Sequence, residues 1–484
     1  MKKIAPSYAS CLSPPAPPIP QGCQSGQNPQ HCQNSHVCQA SHVSQTCHVD
    51  EKGKSLSSKA GLVFFSGGTA LNETAKALAS RCPSTHIITT FDSGGSTAEL
   101  RKHLSMPAVG DIRARLLALA DDSQPEVAAL KKLMAHRLPR DEASLDVELA
   151  AFREGSHPIL QDLTAIWAEM GDFVRQGLVE FKPMASPTFG YGGACVGNIL
   201  LAVQYFRSNR DLQEAVSFWG GYLRVQGLVV PVSETLAHLA VTLENGEKLV
   251  GQHRFTGKRE QQIQSPIADI WLVEGAEEHN ECFGECADTQ KTSAVADLTT
   301  DPVADAVTDA IPQRGCQGKK TKNANCCALP ARAEVEANKL VPLAIAEAQC
   351  LCYPIGSFFS SVAANLLVKG VGQSIARASC PKIFIPNPDA DPELLGLTLI
   401  EQVRFLLRLL LRDAPHARPN ELMNGIVIDK RGSYVGGVAA DALKAMGIEL
   451  YEARLLDEEA LGRGELYISG KLLAQELLRL FAPA

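Results

Sequence analysis

The chain has 484 residues, of which 45% are hydrophobic, 20% charged and 6% aromatic, and its formal net charge is -7. This length and apolar content are enough for one large or two ordinary cores. The charge argues against a nucleic-acid groove, the few aromatics argue against a stacking platform for single strands, and no apolar run is long enough to span a membrane.

Residues 1–58 are rich in Pro, Gln, Ser, Cys and His, which predicts a disordered tail. The tail lacks the apolar segment of a signal peptide, so a cytoplasmic location is expected. Five of the 15 cysteines lie in this tail and five more lie in residues 275–330. Their odd total argues against structural disulfides. The tail has no Cys-x-x-Cys pair beside its histidines, so disorder is favoured over a metal site.

Ordered structure is predicted to begin at residue 61. The apolar run 61–65 predicts a strand, and residues 66–72 (Ser-Gly-Gly-Thr-Ala-Leu-Asn) form a glycine-rich turn before a helix. The N-terminus of such a helix can hold a phosphate. The turn fits neither the P-loop nor the dinucleotide-binding pattern, which argues against both classes of enzyme.

A second strand-turn-helix unit follows about 25 residues later, the spacing expected of parallel strands. The strand is residues 86–91, and residues 92–101 (Asp-Ser-Gly-Gly-Ser-Thr-Ala-Glu-Leu-Arg) place a carboxylate, two glycines and two hydroxyls directly after it. Ligands of open parallel sheets bind outside the carboxyl ends of the strands. From this segment alone, a phosphate site and an ordinary turn are equally good interpretations.

Two further helix starts carry polar residues. Residues 110–115 (Gly-Asp-Ile-Arg-Ala-Arg) place Asp111 as a predicted N-cap, while Arg113 could reach a phosphate or remain solvated. Residues 124–180 read as helices without recognisable chemistry. Gly197 and Asn198 then open an apolar helix, where the amide either faces a ligand or caps the helix.

The second half of the chain continues the same pattern. Residues 222–231 and 239–243 are predicted strands, and the Asn-Gly pair at 245–246 predicts a hairpin. Residues 275–335 have low complexity and are interpreted as an inserted surface loop.

A further strand at 351–353 leads into a Gly/Ser turn at 354–361 and a helix through Asn365. The serines of this turn could offer hydroxyls or amides to a phosphate, or cap the helix. Strands at 382–385 and 426–429 and a last helix at 471–481 complete an α/β chain.

Taken in this order, the turns resemble the CofD and YvcK family of 2-phospho-L-lactate transferases and UDP-sugar-binding relatives. The family's Gly-Gly-Gly-Thr-Gly turn is similar to residues 66–70, and its Asp-Asp-Gly-Gly-Ser-Ser-Gly element is similar to residues 92–98. Gly-Asp-Ile-Arg is intact at 110–113, Gly-Asn is kept at 197–198, and Gly-Pro-Gly-Ser-Leu-Tyr-Thr-Ser resembles residues 354–361.

Three positions depart from the family pattern. Ser93 replaces the second aspartate, Ala194 stands where relatives often carry histidine, and residues 354–355 are Pro-Ile. With the cysteine-rich tail and insert, these departures indicate a divergent subgroup.

The resemblance implies a Rossmann-like three-layer α/β sandwich with a mostly parallel central sheet, formed by residues 59–484 apart from the insert. It implies a transferase that moves a phospho-acid from a nucleoside-diphosphate conjugate to an acceptor hydroxyl with Mg²⁺. Asp92 and Asp111 would be catalytic, and Asp92 would bind the metal. The predicted ligand-binding residues are Gly67, Gly68, Thr69, Asn72, Gly94, Gly95, Ser96, Arg113, Asn198, Gly356, Ser357, Asn365 and Asn387.

Two other functions stay open. One is a non-catalytic sensor of a UDP-sugar, as in the YvcK branch, and the other is a metal or redox module that uses the cysteine-rich segments. No nucleic-acid or membrane partner is expected, and a homodimer is one alternative for the assembly.

Overall fold

A computed structural model of the chain describes residues 61–256, 263–274, 332–389 and 391–481. The predicted tail lies outside the described residues, as does the predicted insert up to residue 331. The metal or redox hypothesis for the cysteine-rich segments therefore falls outside the described structure.

Seven strands form one sheet in the order β10-β9-β8-β7-β1-β2-β3, and each neighbouring pair is parallel. This confirms the predicted α/β fold with a parallel central sheet. In chain order the strands of this sheet are β1 Leu62–Ser66, β2 Ser84–Ile88, β3 Leu228–Pro231, β7 Cys350–Tyr353, β8 Lys382–Phe384, β9 Gly425–Ile428 and β10 Glu449–Glu452.

The strand order reverses at β1. From β1 the chain adds β2 and β3 on one side, and it later returns to add β7 through β10 on the other side. In open α/β sheets such a reversal opens a crevice at the carboxyl ends of the strands. The turns that follow β1, β2 and β7 therefore meet at one edge.

Strand β1 shows why the sheet is the middle of three layers. Leu62 and Phe64 pack into a core with the last helix, whereas Val63 and Phe65 pack into a second core on the opposite face. All four side chains are fully buried. A parallel strand covered on both faces needs a continuous apolar sequence, as this segment has.

Helices cover both faces of the sheet, and a third core lies among α2 to α9. The helices are α1 Asn72–Leu78, α2 Gly95–Leu104, α3 Gly110–Leu119, α4 Pro125–Ala135, α5 Glu142–Glu154, α6 Pro158–Ile166, α7 Ala168–Met184, α8 Val196–Arg207, α9 Leu212–Tyr222, α10 Leu340–Glu347, α11 Ala364–Leu366, α12 Val371–Arg377, α13 Leu399–Asp413, α14 Pro419–Leu422, α15 Ala440–Ala445, α16 Glu458–Gly462 and α17 Gly470–Phe481. Within the described ranges, none of these helices has the length and hydropathy that crossing a membrane requires.

A second, antiparallel sheet has the order β5-β4-β6, with β4 Ala237–Leu243, β5 Lys248–Val250 and β6 Ile267–Glu274. The hairpin predicted at residues 245–246 is confirmed, since β4 and β5 pair on either side of it. Buried Arg101 ties this sheet to the main one by donating to Thr90 O at 3.0 Å and to Ala237 O at 2.6 Å.

Two predicted elements differ from the structure. The strand predicted for residues 222–231 is confined to β3, because α9 extends to Tyr222 and the chain then turns through Arg224 (φ 47°) and Gly227 (φ 145°). The helix predicted through Asn365 begins as a π-helical segment, Phe358–Ala363, and continues as α11.

Candidate functional site

A cavity of about 460 Å³ lies at the carboxyl ends of the parallel strands. Turns after β1, β2 and β7 all contribute to it, together with the first turns of α3 and α8. Twelve residues predicted from the sequence line this cavity: Gly67, Gly68, Thr69, Asp92, Gly94, Gly95, Ser96, Asp111, Arg113, Asn198, Gly356 and Ser357.

Gly67 lies where three of these elements meet. A Cβ on Gly67 would be 2.6 Å from Ser361 Oγ and 2.9 Å from Asp111 Oδ2, so only glycine leaves both groups in place. Asp111 does not cap α3 as predicted, because the N-cap is Val109 and Asp111 is the second helical residue. This position turns its carboxylate toward the β1 turn and the cavity.

Asp92 is oriented by its own turn. Its Oδ1 accepts a hydrogen bond from Gly94 N at 2.9 Å, and α2 begins at the following residue. The carboxylate is therefore held in the turn between β2 and α2, beside the helix start that the sequence predicts; β2 ends at Ile88 and not at the predicted residue 91. Asp92 and Asp111 place two hard oxygen donors on one cavity.

A buried cation lies beneath the β1 turn. Arg115 is fully buried, and its Nη2 donates to Gly67 O and to Ser66 Oγ, both at 3.4 Å. Burial lowers the pKa of Arg115 to about 10, an effect that Asp111 partly offsets, so the guanidinium remains charged at neutral pH. Its charge adds to the attraction of the turn for an anion.

Arg113 lines the cavity, and its guanidinium is hydrogen-bonded to Cys195 and Met134. Its Nη1 donates to Cys195 Sγ at 2.7 Å and to Met134 O at 3.4 Å. Burial lowers the pKa of Arg113. Asn198 does not cap α8, whose N-cap is Cys195; instead its Nδ2 donates to Ser96 Oγ at 2.9 Å. This bond joins α8 to the start of α2 across the cavity.

In the late turn, the chain's own carboxylates accept hydrogen bonds from three consecutive amides. Asp391 Oδ2 accepts from Phe358 N at 2.9 Å, and Glu393 Oε2 accepts from Phe359 N at 2.8 Å and from Ser360 N at 2.9 Å. The Ser360 hydroxyl also donates to Glu393. Ser360, one of the serines considered for phosphate binding, is therefore already committed to Glu393.

Three predicted residues lie outside the cavity lining. Asn72 begins α1. Asn365 is fully buried and donates to Ser66 O at 3.0 Å and Ser361 O at 2.8 Å. Asn387 accepts from Gly356 N at 3.0 Å and donates to Gly356 O at 2.7 Å, so it fixes the late turn from outside.

Four lining residues lie outside all the motifs predicted from the sequence: Arg137, Gln252, His253 and Thr256. Arg137 follows α4, in the helical region that showed no recognisable chemistry. The other three follow the β4–β5 hairpin. The Asn-Gly turn predicted that hairpin, but not that the chain after it reaches the main sheet.

A cluster of His136, Glu148 and His157 lies among the described residues outside the cavity. Both imidazoles approach the same carboxylate oxygen through Nε2. His157 Nδ1 accepts from Ile159 N at 3.3 Å, so the proton of the neutral His157 ring is on Nε2 and points at Glu148. The cluster is thus a hydrogen-bonded connection between α5 and the start of α6, and a metal would have to displace that proton.

The family profile described as 2-phospho-L-lactate transferase CofD matches residues 62–456. An uncharacterized protein of Saccharomyces cerevisiae is 31% identical over 206 residues, which cover 40% of this chain and only 45% of the yeast protein. A putative gluconeogenesis factor of Thermotoga maritima is 24% identical over 72% of this chain and 75% of its own length.

A gluconeogenesis factor of Bacillus subtilis is 23% identical, again over 72% of this chain and 75% of its own length. The crystal structure of a upf0052 family protein from Bacillus halodurans superposes with a TM-score of 0.55 at 18% identity. That superposition covers 87% of this chain and 99% of the other, and it shows a shared fold.

Proposed function

The chain belongs to the CofD family, and on this premise we propose that it transfers a phospho-acid of the 2-phospholactate type from a nucleoside-diphosphate conjugate to an acceptor hydroxyl. The observation that carries this proposal is the meeting of the three glycine-rich turns and two carboxylates on one cavity. The backbone N–H groups of a helix start suit a diphosphate, and carboxylates suit both a cation and a proton.

The transfer needs one bond to form and one to break. The acceptor oxygen attacks the phosphorus next to the acid, the bond from this phosphorus to the bridging oxygen breaks, and a nucleoside monophosphate leaves. Asp92, held in the turn between β2 and α2, would take the proton of the acceptor hydroxyl or orient this hydroxyl. The Gly67 and Gly94 turns would hold the phosphates in line for this attack.

The family implies Mg²⁺, and the donor set fits it. Asp92 and Asp111 present carboxylate oxygens to one cavity, and hard divalent cations prefer such ligands. When bound, Mg²⁺ would neutralise charge on the diphosphate. Asp92 would be the principal ligand and Asp111 the second, since Ser93 supplies no carboxylate.

The test measures nucleotide binding and turnover separately. Ligands that co-purify with the protein would be identified by mass spectrometry, and GDP, UDP and UDP-sugars ranked by thermal shift, because a ligand of the native state raises the melting temperature. Asp92→Asn should lower turnover by roughly 100-fold or more while changing nucleotide affinity much less. The exposed Asp172→Asn serves as the control, since its side chain is 74% exposed.

A second candidate is a non-catalytic sensor of a UDP-sugar. Two relatives that each match 72% of this chain carry the name gluconeogenesis factor, and Ser93 replaces a carboxylate of the family motif. This candidate predicts tight binding of a UDP-sugar and no release of nucleoside monophosphate. Equal losses of affinity and turnover in Asp92→Asn would also favour a binding role.

A further inference from the structure

A histidine that is far in sequence from the glycine-rich turns lines the cavity, because it follows a strand of the second, antiparallel sheet. His253 lies in the short 3₁₀ turn Gln252–Arg254 after β5 and lines the same cavity as Asp92. Its Nδ1 lies 3.0 Å from Ser93 Oγ, and its backbone N–H approaches the same oxygen at 3.5 Å. Ser93 is buried and directly follows Asp92. The chain after the hairpin therefore places an imidazole in the cavity that Asp92 also lines.

Gly251 allows the imidazole to lie where it does. Its backbone has φ 97°, and a Cβ there would be 2.9 Å from His253 Cε1 and 3.2 Å from Nδ1. The ring of His253 thus folds back over a residue that has no side chain. The contact of Nδ1 with Ser93 Oγ then orients the ring.

The hydrogen bonds around Ser93 fit a ring proton on Nε2 of His253. Ser93 Oγ accepts from the backbone N–H of His253, so its own hydrogen can be donated to Nδ1. A neutral imidazole whose Nδ1 accepts carries its proton on Nε2. In this tautomer Nε2 of His253 is a hydrogen-bond donor, and His253 lines the same cavity as Asp92 and Asp111.

We propose that His253 donates a hydrogen bond from Nε2 to an oxygen of the ligand's diphosphate, and that Ser93 is the positioning residue that fixes the ring. This inference rests on the proposed function, because both require a nucleoside diphosphate in the cavity. It also accounts for the departure at Ser93. Compared with aspartate, serine at position 93 removes one negative charge beside the cavity and holds the imidazole of His253, and both changes favour an anionic ligand.

Isothermal titration of the full chain with UDP and with GDP tests the inference. His253→Ala should weaken binding of the nucleotide that the wild type binds by roughly 10- to 100-fold, the loss expected for a hydrogen bond to a charged group. His253→Gln, which keeps an amide donor, should recover part of this loss. His416→Ala is the matched control, since His416 is exposed and lies outside the cavity lining.

A double-mutant cycle separates positioning from direct contact. If Ser93 acts through His253, Ser93→Ala alone weakens binding, and the double variant binds no more weakly than His253→Ala. Additive losses would mean that Ser93 contacts the ligand itself, and they would overturn the assignment. Normal affinity in a folded His253→Ala would end this inference and leave the proposed function intact, whereas a wild type that binds neither nucleotide would end both.

Discussion

Gly68→Ala should separate ligand binding from folding more cleanly than any other change in the β1 turn. Gly68 lines the cavity, and the nearest atom to a Cβ built on it is Asp111 Oδ1 at 3.9 Å, an ordinary contact. Its φ is not positive, so alanine fits the backbone. The free energy of unfolding should therefore change by no more than about 0.5 kcal/mol. The added methyl would project into space that the proposed diphosphate needs.

The expected loss of nucleotide affinity is roughly 10- to 100-fold, since one hydrogen bond to a charged oxygen is lengthened or lost. Gly67→Ala should lower the free energy of unfolding by about 1–3 kcal/mol in addition to weakening nucleotide binding, because its methyl group would clash with Ser361 and Asp111. Gly221→Ala is the control, since no atom lies within 4 Å of the added Cβ. Urea unfolding and calorimetric titration measure the two effects. Unchanged affinity in Gly68→Ala would refute phosphate binding at this turn.

Two further predictions concern buried carboxylates. Burial, followed by the charge of Asp391, raises the pKa of Glu393 to about 7 from its usual 4.5. The native state therefore binds this proton more tightly than the unfolded chain does. As the pH rises from about 4.5 to about 7, ionisation of Glu393 should reduce the free energy of unfolding by roughly 3 kcal/mol. Glu393→Gln should flatten that slope in urea unfolding from pH 5 to pH 8, and an unchanged slope would contradict the assignment. Asp429 accepts hydrogen bonds from Leu455 N at 2.7 Å and from Leu456 N at 2.9 Å. Asp429→Ala should therefore lower the free energy of unfolding by roughly 2–5 kcal/mol, because both buried amides would be left unpaired. A loss below about 1 kcal/mol in the same urea unfolding assay would contradict this prediction.

The sequence predicts the strands that lie in the middle of the sheet because burial on both faces leaves a local signal. Residues 61–65 are continuously apolar and a glycine turn ends them, so β1 is readily recognised. The edge strand β10 is short, and both of its ends are exposed glutamates, Glu449 and Glu452, so it carries no such signal. Residues 222–227 are apolar enough to suggest a strand, but α9 ends at Tyr222 and the chain then turns through Arg224 and Gly227.

The candidate site divides in the same way. Turns that follow parallel strands lie at one edge of the sheet, and together with the family resemblance this predicts Gly67, Gly94 and Gly356 in one site. His253 follows β5 of the second sheet and contacts Ser93, which lies 160 positions earlier in the sequence. Local periodicity holds no information about that pairing.

The three turns meet at one edge, but they are not equivalent. After β1 and β2, the turns contribute glycines and helix starts, with the buried Arg115 guanidinium behind the first. After β7, the amides of residues 358–360 are held by Asp391 and Glu393. An anion near that turn would meet the carboxylates of Asp391 and Glu393 and three amides that are already bonded, whereas the β1 turn has the Arg115 guanidinium behind it. We therefore expect the diphosphate over β1 and β2, and the part of the ligand without phosphate charge on the β7 side.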